Sequence, residues 1–155
     1  MKKLFQFLIW LSVILYIAFI FSNSLTSGEV SGALSMKVAK IIVKYLDTLQ
    51  ISMSLKLFHS LLRKLAHFIE FFGLGVLVSI AIATCPLFKS RLLNFIIFLI
   101  SVPIADEVIQ HYVPDRVSTY KDMIIDAGGM ICGGLVVYIC ILIIKDIYGS
   151  FKKIA

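Results

Sequence analysis

The feature that most restricts the fold of this chain is a set of four long apolar stretches with few charges. An α-helix needs about 20 apolar residues to cross the hydrocarbon core of a bilayer, and each stretch is close to that length. Hydrophobic residues make up 60% of the 155 residues, more than in average soluble domains. We therefore predict one all-α integral membrane domain over residues 1–155, a four-helix bundle. The predicted spans are 4–22, 65–84, 92–109 and 123–144.

The first and third stretches differ from simple membrane spans. Lys2 and Lys3 precede the first, as in a secretory signal. Its apolar run is longer than a signal core and no typical cleavage site follows, so we expect a retained helix. Pro103 and Asp106 shorten the apolar part of the third stretch, which makes it the weakest of the four predicted spans.

The segment 33–49, between the first two spans, has a different pattern. Lys37, Lys40 and Lys44 recur at spacings of three and four, which places them on one stripe of a helix. Apolar residues cover most of the remaining surface. Such a helix is too charged to span, and we predict an amphipathic helix that lies in the membrane interface. The alternative is an ordinary helix packed on the bundle.

Polar residues concentrate near the ends of the spans. Ionisable groups there are candidate functional residues, because hydrocarbon disfavours an unpaired charge. With four crossings, the end of the first span, the start of the second, the end of the third and the start of the fourth lie on one side. We predict that the polar residues of these ends form one site. They are Arg63, His67, Glu70, Asp106, Glu107, Gln110, Arg116, Asp122 and Asp126.

The distribution of positive charge bears on partners and orientation. The net charge of +6 comes from Lys and Arg spread over short connecting segments. Contact with anionic lipid headgroups explains this pattern, and we predict no nucleic-acid binding. Seven Lys and Arg fall on one side of the membrane and eight on the other, so the charge count does not decide the orientation. We favour cytoplasmic termini because two lysines lead the first span and because Arg63 and Arg116 have carboxylates available as partners.

Several sequence blocks together resemble the VanZ-like family of small bacterial membrane proteins. The blocks are 21–24 (FSNS), 63–71 (RKLAHFIEF) with Gly73, 106–110 (DEVIQ), 113–116 (VPDR), and Thr119, Asp122, Asp126 and Gly129. Asp115 stands where Gly is common in that family, and Asn23 where Ser is common. The resemblance implies a four-helix protein of the bacterial cell membrane, linked in some members to teicoplanin resistance. It implies no agreed chemical reaction.

Three interpretations of the polar residues follow from their chemistry. In a structural network, Arg63 or Arg116 bridges carboxylates and sets the helix register, while Asp122 caps the fourth helix with Thr119. In a headgroup site, the arginines bind a phosphate. In an intramembrane enzyme acting on a lipid-linked phosphate, His67, Glu70 and the aspartates bind a metal or transfer protons.

Of these interpretations we favour a headgroup site at the outer rim that modulates susceptibility to teicoplanin-type glycopeptides. The expected partners are membrane lipid and a lipid-linked cell-wall precursor or the glycopeptide. The sequence has no H-E-x-x-H, G-x-S-x-G or phosphate-loop motif. We therefore assign no catalytic residue, predict no cofactor or bound metal, and favour a protein that is not an enzyme. Trp10, His59, His111 and the three cysteines receive no role.

Overall fold

The computed structural model of the chain describes residues 2–48, 50–51, 53–116 and 119–154. These residues form five α-helices, namely α1 (Lys2–Ser24), α2 (Gly28–Thr48), α3 (Leu55–Thr84), α4 (Arg91–His111) and α5 (Tyr120–Ile154). Every helix except α2 is long and apolar enough to cross a membrane. The predicted all-α fold, with four candidate membrane helices and one further helix between the first two, is confirmed.

The four long helices extend beyond the predicted spans. α3 has 30 residues, which corresponds to about 45 Å at the helical rise, whereas a hydrocarbon core is about 30 Å thick. The polar N-terminal part of α3 can therefore lie outside the hydrocarbon. α4 continues through the buried Pro103 to His111, and neighbouring helices make such a proline tolerable in membrane proteins.

The central helix is α3, which packs against each of the other four helices. Its closest approach is to α5, where Gly129 and Gly133 lie against the α3 backbone at Phe68 and Phe72. A Cβ atom at either glycine would overlap a carbonyl of α3. Small residues commonly allow this close packing between membrane helices. These two glycines therefore form the closest part of the α3–α5 interface.

A single apolar core lies where α1, α3, α4 and α5 meet. Phe71, Leu74 and Val78 of α3 are fully buried there, together with Ile20 of α1 and Met130 of α5. Many large apolar side chains outside this core are exposed on the outer faces of the same helices. Outer apolar faces are the surface that a lipid bilayer would cover.

The second helix begins at Gly28, earlier than the predicted Ala33. Ser27 precedes it, and its side-chain oxygen accepts a hydrogen bond from the Val30 N–H at 3.4 Å. Such a bond satisfies one of the free N–H groups of the first helical turn, which explains why the serine- and glycine-rich connector is helical. The predicted end of this helix, Leu49, lies outside the described residues.

Among the described helices, α2 packs against α3 alone. The contact includes Ser35, whose hydroxyl lies 2.8 Å from Nε2 of His59. The three predicted stripe lysines are exposed, and apolar side chains such as Leu34, Ile41 and Tyr45 are exposed too. This helix therefore has an apolar surface that the bundle does not cover, as an interfacial helix requires. The interfacial placement itself stays a prediction.

Candidate functional site

The connection between α4 and α5 forms part of the end of the bundle that we call the polar rim. The polar rim comprises the C-terminal ends of α1 and α4, the N-terminal half of α3, the start of α5 and the loop residues 112–116 and 119. The loop is held from two sides. Gly28 donates its N–H to the Pro114 carbonyl at 3.1 Å, and Thr119 donates its N–H to Glu107 Oε2 at 2.9 Å.

Within this loop, Asp115 has a φ of 60°, in the left-handed region that favours glycine. Glycine adopts this conformation without strain, which explains why it is common at this position in the family that the sequence resembles. Gly28 packs against the same turn so closely that a Cβ there would overlap the Asp115 carbonyl. The turn therefore depends on close backbone contact between the α1–α2 and α4–α5 connections.

Arg116, in the loop between α4 and α5, binds the end of α1. Its Nε donates to the Thr26 carbonyl at 3.0 Å and its Nη2 to the Asn23 carbonyl at 2.7 Å. Burial, and next the nearby positive charge of Arg63, lower the pKa of the Arg116 guanidinium, although nearby carboxylates oppose this change. The guanidinium remains charged at neutral pH because its ordinary pKa is so high.

Two carboxylates of the polar rim accept hydrogen bonds from neutral side chains of α1. Glu70 accepts a hydrogen bond from Asn23 Nδ2 at 2.8 Å. The buried Asp106 accepts from the Ser24 hydroxyl at 2.5 Å and from Gln110 Nε2 at 2.6 Å. These bonds tie α1 to α3 and to α4. They use the carboxylates that the network interpretation assigns to the arginines.

His67 and Asp126 face each other between α3 and α5. Nδ1 of His67 lies 3.5 Å from Oδ1 of Asp126, and the Asp126 side chain is 0% exposed. Neither Asp126 oxygen makes a hydrogen bond with any described residue. Potential ligand atoms of His67, Asp106 and Asp126 all lie within 4.8 Å of one another. This buried group therefore has acceptor capacity that the described part of the chain leaves unused.

Asp122 lies at the start of α5, one turn before Asp126. Its Oδ2 accepts a hydrogen bond from the Thr119 hydroxyl at 2.9 Å, and its own N–H lies 3.4 Å from that hydroxyl. This is the capping arrangement suggested by the sequence, in which two side chains satisfy the first turn of a helix. Asp122 consequently has a structural partner in the loop.

A cavity of about 450 Å³ opens at the polar rim between α1, α2 and α3. Its polar part is lined by Arg63, Arg116, His67 and Glu70 together with Asn23, Ser24 and other short polar side chains. Its apolar part is lined by Val30, Leu34 and Val38 of α2 and by Leu62 of α3. The cavity thus joins a charged surface to an apolar one.

Neither arginine of this cavity has a carboxylate oxygen within 4.0 Å among the described residues. A second cavity of about 430 Å³ shares Arg63 and His67 with the first and reaches Gln110 and Asp122. Four of the nine predicted site residues therefore line the first cavity. The other five lie on α4 and α5: Asp106, Glu107, Gln110, Asp122 and Asp126.

Sequence reasoning did not include several polar partners in the site. Asn23, Ser24 and Thr26 of the α1 end bind Glu70, Asp106 or Arg116 directly. Crossing parity places Asn23 and the rest of the first span's end on the same side as the predicted site. Their short side chains are neutral, whereas every predicted site residue except Gln110 is ionisable.

The fold and the polar rim together define a small helical membrane protein with a charged cavity at one end of its bundle. The sequence matches the family described as VanZ/LLP1 over residues 7–143. The chain belongs to this family, which confirms the resemblance drawn from the sequence blocks. Comparisons with curated proteins and with solved structures gave no significant match.

Proposed function

We propose that the protein binds a phosphate-bearing headgroup of a lipid or lipid-linked envelope molecule in the cavity of the polar rim. Through this binding it modulates susceptibility to teicoplanin-type glycopeptides without turning over the drug. The observation that carries the proposal is the pair Arg63 and Arg116, which line one cavity. Within the described residues neither arginine has a carboxylate within 4.0 Å.

The two arginines favour an anionic ligand for electrostatic reasons. Their positive charges repel each other, as the lowered pKa of Arg116 reflects after the larger effect of burial. A phosphate between them would relieve this repulsion, and guanidinium groups bind phosphate through two parallel hydrogen bonds. Arg116 is already oriented by two backbone carbonyls, so little conformational entropy is lost when it binds a ligand.

The apolar part of the cavity favours an amphiphilic ligand over free phosphate. Val30, Leu34 and Val38 of α2 continue the cavity wall away from the arginines. An acyl or isoprenyl chain could lie against these residues while its phosphate lies between Arg63 and Arg116. Glu70, at the same cavity, could accept a hydrogen bond from a hydroxyl or amine of the headgroup.

The proposed role in resistance depends on the side of the membrane. With cytoplasmic termini, the polar rim faces outward, where envelope precursors and amphiphilic glycopeptides meet the membrane. A headgroup bound there would alter how the drug or its target settles at the surface. Membership of the VanZ/LLP1 family supports this role in resistance, since the resemblance links some members to teicoplanin resistance.

An intramembrane enzyme acting on a lipid-linked phosphate is the second candidate function. It is favoured by the buried cluster of His67, Asp106 and Asp126 behind the arginines. A histidine beside a carboxylate can transfer protons during hydrolysis. This candidate predicts that a specific lipid is consumed, which the binding proposal does not.

Lipid binding by the purified protein tests the main proposal. The protein is reconstituted in nanodiscs with an anionic phospholipid probe, and affinity is compared for wild type, Arg63→Gln, Arg116→Gln and Arg91→Gln. Arg91 is the matched control, because it is exposed at the other end of the bundle. We expect each rim variant to bind about tenfold or more weakly, from the loss of charged hydrogen bonds. Equal affinity for all four proteins contradicts the proposal.

A cellular experiment separates binding from catalysis. Wild type, Arg63→Gln, Arg91→Gln and Asp106→Asn are expressed in a deletion strain, with membrane level, teicoplanin susceptibility and envelope lipids measured together. We expect Arg63→Gln alone among the arginine variants to lose the effect on susceptibility. Unchanged susceptibility after deletion refutes the resistance role. Accumulation of one lipid species in the Asp106→Asn strain replaces the binding proposal with the enzyme.

A further inference from the structure

Three side chains from three different helices meet behind the cavity in an arrangement that suits a metal ion. His67 lies on α3, Asp106 on α4 and Asp126 on α5. One potential ligand atom from each lies within 4.8 Å of the others. Three ligands of one tetrahedral ion, each bonded at about 2.0–2.3 Å, lie about 3.3–3.8 Å from one another. His67 and Asp126 are already 3.5 Å apart, so small side-chain rotations would let the three atoms share one ion.

Asp126 provides an independent indication of a missing partner. Its side chain is 0% exposed, and neither carboxylate oxygen makes a hydrogen bond with any described residue. Nδ1 of His67 also lacks a hydrogen bond and lies 3.5 Å away, where it forms an ion pair only when the imidazole is protonated. A buried carboxylate without hydrogen bonds is strongly disfavoured. A bound cation would supply the missing interaction to both side chains.

Asp106 is held as metal-binding carboxylates usually are. Its two oxygens accept hydrogen bonds from Ser24 and Gln110, which orient the carboxylate from outside the cluster. Each oxygen retains a further lone pair for a metal ion. The polar partners at the α1 and α4 ends therefore position a ligand as well as joining helices.

We propose that His67, Asp106 and Asp126 together bind one divalent transition-metal ion, such as Mn²⁺ or Zn²⁺. One imidazole and two carboxylates suit these ions, whereas Mg²⁺ and Ca²⁺ prefer oxygen ligands alone. His67 also lines both rim cavities, so further coordination positions are accessible to water or to a phosphate. The site goes beyond the proposed headgroup binding and does not require it.

The sequence predicted no metal because its ligands share no local motif. His67 precedes Asp106 by a whole membrane helix, and Asp126 follows on the next helix. Metal motifs are recognised in sequence when two ligands lie a few residues apart. Here only the packing of α3, α4 and α5 brings the ligands together.

Metal content of the purified protein tests the proposal directly. Detergent-solubilised protein is treated with a chelator, dialysed against Mn²⁺ or Zn²⁺, and analysed by elemental mass spectrometry and thermal unfolding. The variants are Asp126→Asn, His67→Gln and, as matched control, Asp122→Asn one turn earlier on α5. We expect one ion per chain and a metal-dependent rise in Tm for wild type and Asp122→Asn. Asp126→Asn and His67→Gln lose both, with affinity at least about tenfold weaker.

Two results would overturn the metal site. One is folded wild type that takes up no ion and shows no change in Tm with either metal. The other is uptake by Asp126→Asn equal to that of wild type, since the ion would then lie elsewhere. Arg63→Gln distinguishes this proposal from headgroup binding, because we expect it to keep the metal and lose the lipid. Loss of metal from Arg63→Gln would also count against the three-residue site.

Discussion

The two ends of the bundle differ in the kind of partner that their polar side chains bond. At the end formed by the α3–α4 connection, Asn94 bonds to backbone groups of Phe88 and Ser90. At the polar rim, the Asn23–Glu70 and Ser24–Asp106 bonds join two side chains that lie on separate helices. Bonds to the backbone therefore organise the first end, whereas these bonds between side chains hold the helices together at the polar rim.

This difference separates structural polar groups from functional ones. Asn94 is 0% exposed and both of its amide atoms are bonded to backbone groups. Trp10, to which the sequence assigned no role, donates its Nε1–H to the Cys85 carbonyl at 2.9 Å at the same end. At the polar rim, Arg63 and Asp126 retain binding capacity within the described chain. A ligand needs such side chains, whose hydrogen-bond donors or acceptors are not already used by the protein.

The largest effect on stability is expected at the structural end. Asn94→Ala removes three hydrogen bonds and leaves the N–H and carbonyl of Phe88 without their partner, while the Ser90 carbonyl keeps its bond from the backbone N–H of residue 94. We expect a loss of about 2–4 kcal/mol of unfolding free energy, measured by thermal unfolding in detergent. Lipid binding per folded molecule should stay as in wild type. Stability equal to wild type, or a selective loss of lipid binding, would contradict the assignment of a structural role to Asn94.

The second effect has the opposite sign and lies at the polar rim. Asp126→Leu replaces a buried carboxylate that lacks hydrogen bonds with an apolar side chain of similar size. We expect the metal-free protein to gain about 1–2 kcal/mol, because desolvation of a carboxylate without hydrogen bonds is costly and His67 can remain as a neutral imidazole after losing its contact at 3.5 Å. Asp122→Leu is the control, since it loses its bond to Thr119 and should destabilise by about 1 kcal/mol. Destabilisation by Asp126→Leu would mean that the carboxylate stabilises the metal-free fold.

A smaller effect should distinguish hydrogen bonding from stacking at Trp10. Trp10→Phe removes the donor to the Cys85 carbonyl and retains an aromatic ring beside Phe98, whose centroid lies 5.7 Å away. We expect a loss of about 1 kcal/mol in thermal unfolding, the usual value of one hydrogen bond. Phe19→Leu, on an exposed face, serves as the control and should be close to neutral. An equal effect of both substitutions would show that Trp10 acts through apolar surface alone.

The smallest effect concerns the turn that carries Arg116. Asp115→Gly should raise the unfolding free energy by about 0.5–1 kcal/mol, because glycine adopts a positive φ without the Cβ penalty. The Asp115 φ of 60° supplies the motivation. Asp115→Ala removes the carboxylate and keeps the Cβ, so we expect it to give no gain in Tm. If both variants raise Tm equally, charge removal rather than backbone conformation is responsible.

The agreement between sequence and structure is greatest for features that depend on local pattern. The length of the apolar stretches predicts the four long helices. The third span is the least apolar of the four, as predicted, but α4 is helical through Pro103. Pro103 and Asp106 would weaken this helix if it were isolated. In the protein, packing against α1, α3 and α5 compensates for them.

The sequence by itself determined the number of membrane helices and the end of the bundle at which charges collect. Both follow from one-dimensional quantities, the length of apolar runs and the parity of crossings. Only the tertiary structure decided that Asn23 binds Glu70, that Ser24 binds Asp106 and that Arg116 binds backbone carbonyls. Hydrogen bonds require distances near 3 Å, and such distances depend on how each helix is rotated against its neighbours, which charge and spacing along the chain do not specify.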